Sequence, residues 1–107
     1  MKRAKWIVVT VCVSAGLANP VFAEEVGDAA QGHALARSVC AECHSVAKDK
    51  APSPERKAPT FESLAETAGV TSMALHVLLR TSHREMPNLM LDDDQVDDVS
   101  AYILSLK

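Results

Sequence analysis

A small all-α domain is the fold the sequence predicts, and three observations carry that reading. Apolar residues recur at helical spacing behind residues that cap helix N-termini, no alternating β-branched run surrounds the cysteines, and three of the five prolines gather in one charged stretch instead of breaking the periodic segments. Asp28 opens the first helix, with Gln31 as its capping-box partner, and Gln31 to Val39 is alanine-rich and free of proline. Residues 47–59 hold the three prolines among charges and read as the longest loop, with Lys48, Lys50, Arg56 and Lys57 as a basic cluster that is either simply solvated or docks an acidic partner. Phe61, Leu64, Ala65 and Ala68 keep helical spacing up to Gly69, a stop signal. Thr71 caps a third helix that carries Leu75, Leu78 and Leu79, with Val70 and Leu75 as a hydrophobic staple and an end near Thr81; Met73 reads as core. Asp92 and Gln95 cap the last helix, Asp93 and Asp94 complement its dipole, Leu91 and Val96 form its staple, and Val96, Val99, Ile103 and Leu106 make one apolar stripe.

The first 23 residues differ in kind from the rest. Lys2, Arg3 and Lys5 precede an apolar run from Trp6 to Leu17, and Val21-Phe22-Ala23 puts small residues where a signal peptidase reads them. Residues 1–23 are therefore expected to be a secretory signal peptide cleaved after Ala23, which takes Cys12 with it and sends residues 24–107 to the periplasm. A retained anchor is the less favoured alternative, because the run falls short of the roughly 18 to 20 residues a span requires and contains Thr10 and Ser14. Eight basic and 14 acidic residues remain, a net charge of -6 that speaks against nucleic acid and anionic lipid as partners. The 48% apolar content excludes a disordered chain. With Phe61 and Tyr102 as its only aromatics, however, the processed domain has few large side chains with which to offset chain entropy at this size. Something besides protein must fill its middle.

The cysteines identify that filler. Cys40-Ala41-Glu42-Cys43-His44 has the C-x-x-C-H pattern, in which two thiols add across the vinyl groups of haem and the adjoining histidine coordinates the iron. On a helix, positions i, i+3 and i+4 share a face, so Cys40, Cys43 and His44 can address one flat ligand. Three other readings compete. A disulfide across two residues restrains little of the unfolded chain; a thioredoxin-like redox pair needs a βαβ setting; a zinc site needs a second ligand pair, and His33, His76 and His83 are scattered. His33 and His76, on predicted helices, read as uninvolved surface histidines.

A second iron ligand is sought in Ser82-His83-Arg84-Glu85-Met86-Pro87-Asn88-Leu89-Met90. A soft thioether favours ferrous iron, and Pro87 stiffens the backbone at Met86 so that its side chain can project from the loop. Met86 is the leading candidate. His83 would give a bis-histidine iron instead, and Met90, next to the last helix, reads as a packing residue or a further alternative.

Taken together, Cys40-Ala41-Glu42-Cys43-His44 behind a Gly-Asp-Ala-Ala-x-Gly helix, Ala58-Pro59-Thr60-Phe61, Met86-Pro87-Asn88-Leu89 and the closing Val99-Ser100-Ala101-Tyr102-Ile103-Leu104-Ser105-Leu106 resemble a small bacterial class I cytochrome c. The resemblance spans nearly all of residues 24–107. It implies about four helices around one covalent haem c, with His44 and Met86 as axial ligands, a Pro59 carbonyl that accepts a hydrogen bond from His44, and Gly32 where the first helix crosses the last near Tyr102. The segment between His44 and Pro59 is longer and more charged than in the smallest members.

Iron with both axial positions filled by protein exchanges electrons and binds no substrate. The expected function is thus a soluble, exported, monomeric electron carrier and not an enzyme. Its expected partners are redox proteins: a dehydrogenase or quinol-oxidising complex as donor, an oxidase or reductase as acceptor. The alternatives are a haem-bearing subunit dedicated to one dehydrogenase or oxidase complex, and a ligand-binding sensor or peroxidase-like protein, which needs a labile sixth ligand. Asp92, Asp93, Asp94, Asp97 and Asp98 form an acidic patch that either steers a basic partner or serves the helix dipole and solubility.

Overall fold

The computed structural model describes residues 26–82 and 85–107. The expected signal peptide and the alternative ligand His83 lie outside them. Four α-helices follow in order, α1 (Ala29–Leu35), α2 (Phe61–Glu66), α3 (Ser72–Arg80) and α4 (Asp93–Leu104), and the described residues contain no strand, so the fold is all-α.

The caps explain where the helices begin. Asp28 accepts from the backbone N–H groups of Ala30 (2.8 Å) and Gln31 (3.3 Å). Its own N–H is not taken by Gln31, as a capping box would require, but by Asp98 Oδ1 of α4 at 2.6 Å, because the close approach of α4 supplies a stronger, charged acceptor. Thr60 and Thr71 accept from Ser63 and Ala74, each at 3.1 Å, to start α2 and α3. At α4 the capping box is complete, with Gln95 N–H to Asp92 Oδ1 at 2.8 Å and Asp92 N–H to Gln95 Oε1 at 3.1 Å. α2 stops at Glu66, two residues before the expected Ala68, where Thr67 turns to extended backbone.

The first helix does not continue as an α-helix to Val39. At Ala36 it widens into a π-helix over Ala36–Cys40, closed by Ala41 N–H on Ala36 O at 2.9 Å, and α-type bonding resumes at His44 N–H on Cys40 O at 2.9 Å. The change alters the rotation at which the chain leaves α1 just ahead of Cys43 and His44. Nothing in residue periodicity announces it.

The core lies where α1 and α4 cross, with Ala36, Phe61, Ala65, Leu75, Val99, Tyr102 and Ile103 buried together. The α4 stripe of Val96, Val99, Ile103 and Leu106 is buried as its spacing predicts. Gly32 is indispensable at the crossing: a Cβ there would stand 1.9 Å from the Asp98 carbonyl oxygen and 2.9 Å from Tyr102 Cβ. Met73 corrects the sequence reading, being 73% exposed. It precedes the inward-facing Leu75 by two positions, about 200° around the helix, and so faces away from the core.

Tyr102 ties the last helix to the chain beyond Cys43, its hydroxyl donating to the Val46 carbonyl at 2.6 Å. Burial, with Asp49 adding a smaller repulsion, pushes its phenol above the usual tyrosine range. The fold therefore prefers the neutral phenol: its contribution is intact below the unfolded-chain value of about 10 and is lost as pH rises through the folded value. Tyr102→Phe is expected to cost about 1 kcal/mol at pH 7 through the lost bond and to flatten the alkaline decline. Thermal melts of both proteins across that range check it, and an equally steep decline in the variant would contradict it.

Candidate functional site

The π-helix and the turn after it deliver Cys40, Cys43 and His44 to one wall of a cavity of ≈ 400 Å³. Both thiols are free; Cys40 is buried and Cys43 half-buried, and burial pushes the Cys40 thiol above the usual range. His44 Nδ1 lies 2.6 Å from the Pro59 carbonyl oxygen. A carbonyl can only accept, so the proton sits on Nδ1, which leaves the Nε2 lone pair available as a ligand. Phe61 stands beside the imidazole, ring centroids 5.5 Å apart.

The segment between His44 and Pro59 is long, yet it is anchored throughout. Ser45 N–H donates to Ser53 Oγ at 3.0 Å, Glu55 N–H to Cys43 O at 3.1 Å and Phe61 N–H to Ser45 O at 2.9 Å. Glu62, 8% exposed, accepts from Lys50 N–H at 3.2 Å, where the backbone turns at φ 56°. These bonds hold the Pro59 carbonyl in place against His44.

Met86 lines the same cavity and is half-buried. Met90 does not line it and is 90% exposed, so it neither reaches the site nor packs. His33 stands apart, stacked on Tyr102 at 4.7 Å, and His76 lies 3.4 Å from Asp97. Among the described residues no group of three or more His, Cys, Asp or Glu side chains is arranged to hold a metal ion.

The remaining wall is apolar, formed by Val39, Leu64, Leu78, Leu79, Leu89 and Val99, while exposed Glu55, Lys57 and Glu85 stand at the rim. The spacing marks Leu78 and Leu79 as helix residues, Lys57 as part of a basic loop cluster and Glu85 and Leu89 as part of the Met86 segment, but it marks none of the five as lining the cavity. The acidic patch is largely committed: Asp92 caps α4, Asp93 pairs with Arg80, Asp97 meets His76 and Asp98 holds Asp28.

Two thiols and an imidazole on one wall, a thioether in the same cavity and apolar side chains between them suit a flat, mostly apolar iron macrocycle, in a space within the usual range for ligand pockets. An all-α scaffold with this donor set defines the class, a small c-type haem domain. Residues 29–107 match the family model described as Cytochrome c, and the chain belongs to the cytochrome c family, whose members carry covalently bound haem c and transfer electrons. It is 32% identical over 97 residues, 91% of this chain and 92% of the relative, to a cytochrome c-552 of Bradyrhizobium diazoefficiens. No solved structure matches it at a significant level. Among the described residues no helix is long and apolar enough to cross a membrane.

Proposed function

We propose that this chain is an exported monohaem electron carrier in which Cys40 and Cys43 hold the haem and His44 and Met86 hold its iron. Bound haem supplies a one-electron ferric/ferrous couple. Cys40 and Cys43 would hold the group covalently through thioether links to its two vinyl groups, with each S–H adding across one double bond. His44 offers Nε2 because Pro59 occupies Nδ1, and the same bond raises the basicity of the ligand. Met86 offers a soft sulfur that favours the reduced iron, and the apolar walls act in the same direction by disfavouring the more highly charged ferric state.

The observation that carries this reading is the presence of His44 and Met86 on one cavity. With His44 and Met86 both holding the iron, no position would be left for a substrate, and the protein would pass electrons without catalysing a reaction. Its donor and acceptor are redox proteins, and the charged and apolar pattern of residues 1–23 supports export to the periplasm.

The reduced holoprotein is expected to keep its low-spin spectrum under carbon monoxide, and the oxidised form to show the weak far-red band of sulfur-ligated ferric haem. Met86→Ala is expected to lose that band and bind carbon monoxide promptly. A wild-type protein that binds carbon monoxide promptly has an open or labile sixth position, and the sensor or peroxidase-like reading replaces the carrier.

A further inference from the structure

We propose that Lys57 and Glu85 form a clasp across the cavity rim that holds the Met86 segment to the loop bearing Pro59 and slows departure of the Met86 thioether. The inference rests on the ligand reading above. Lys57 Nζ lies 2.7 Å from Glu85 Oε1, joining residues 28 apart in the chain. Each partner is tied closely to one side of the site. Lys57 precedes Pro59 by two residues, and the Pro59 carbonyl is 2.6 Å from His44 Nδ1; Glu85 directly precedes Met86.

What makes the pair matter is how little else holds that segment. Among the described residues, 85–91 make no other hydrogen bond or ion pair. Met86, Leu89 and Leu91 are half-buried and line the cavity, so apolar contact and this one ion pair fasten the segment. Arg80 and Asp93 pair with each other and so join α3 to α4 on either side of the segment. The nearby charge is Glu55, whose Oε1 accepts from Lys57 N–H at 3.3 Å. The side chains are 72% and 59% exposed, so the clasp is weak and salt-sensitive, a modulator of ligand loss and not the main restraint.

The test is displacement of Met86 by added imidazole in the ferric holoprotein, followed by stopped flow at the far-red band. At low ionic strength, Lys57→Gln and Glu85→Gln are each expected to speed displacement about two- to fivefold. The double variant should be no faster than either single one, because both remove the same contact. At about 0.5 M salt, where the Debye length is only a few Å, the wild-type protein should approach the variants. Unchanged rates in the single variants, or additive effects in the double variant, overturn the clasp. A wild-type ferric spectrum without the far-red band overturns the Met86 reading and the clasp together, whereas a band with unchanged rates overturns the clasp alone.

Discussion

The chain in which both Cys40 and Cys43 are replaced by alanine is expected to retain no haem under denaturing conditions and to show no cooperative thermal transition. Among the described residues the buried set is made of modest side chains, including Ala36, Val46, Ala65, Leu75, Val96, Val99 and Ile103, with Phe61 and Tyr102 as its only aromatics. Around the cavity, Val39 and Leu78 are still 39% and 38% exposed. A macrocycle that buries on the order of 500 Å² of apolar surface contributes about 12 kcal/mol gross at roughly 25 cal/mol per Å². That is comparable with the whole net stability of an ordinary domain, about 5–15 kcal/mol. Circular dichroism melts of haem-free material decide the matter: a sigmoidal transition would show that the protein core suffices, and the cofactor would then be a passenger.

Gly32→Ala is expected to destabilise the holoprotein by about 3 kcal/mol, or roughly 12–24 °C in Tm. The sign is the informative part. Helix propensity alone favours alanine over glycine by about 1 kcal/mol inside a helix, so a substitution judged by α1 in isolation would stabilise. The α1–α4 crossing reverses this, because the new Cβ would stand 1.9 Å from the Asp98 carbonyl oxygen and 2.4 Å from its carbon, which are backbone atoms within a helix. Relief requires moving α4, which carries Tyr102 and its bond to Val46 at 2.6 Å, and Val99 on the cavity wall. An unchanged or raised Tm would mean that the two helices separate without cost.

These two outcomes also measure how much was legible in the residue string. The caps at Asp28, Thr71 and Asp92 and the α4 stripe could be read because they depend on neighbours within about one turn. The haem motif could be read because its three functional groups lie within five consecutive residues. Met73 looks like core from its apolar side chain alone, and only the phase of α3 relative to Leu75 turns it outward. Proximity to α4 in the chain suggests that Met90 packs or ligates, yet its side chain is 90% exposed. The π-helix over Ala36–Cys40 had no local signal, since the chain accepts that wider turn only in the context of the packed elements around it.

The sequence by itself determined the helical class, the covalent haem c and the donor atoms available to it, because each depends on residue type and short spacing. Tertiary structure alone decided which distant groups meet. It brought the Pro59 carbonyl to His44 Nδ1, gave Asp28 a partner 70 residues away in Asp98, put Leu78, Leu79 and Leu89 on one cavity wall, and set Lys57 against Glu85. Those contacts arise from how four helices and one long loop pack, and packing is a property of all the surfaces at once.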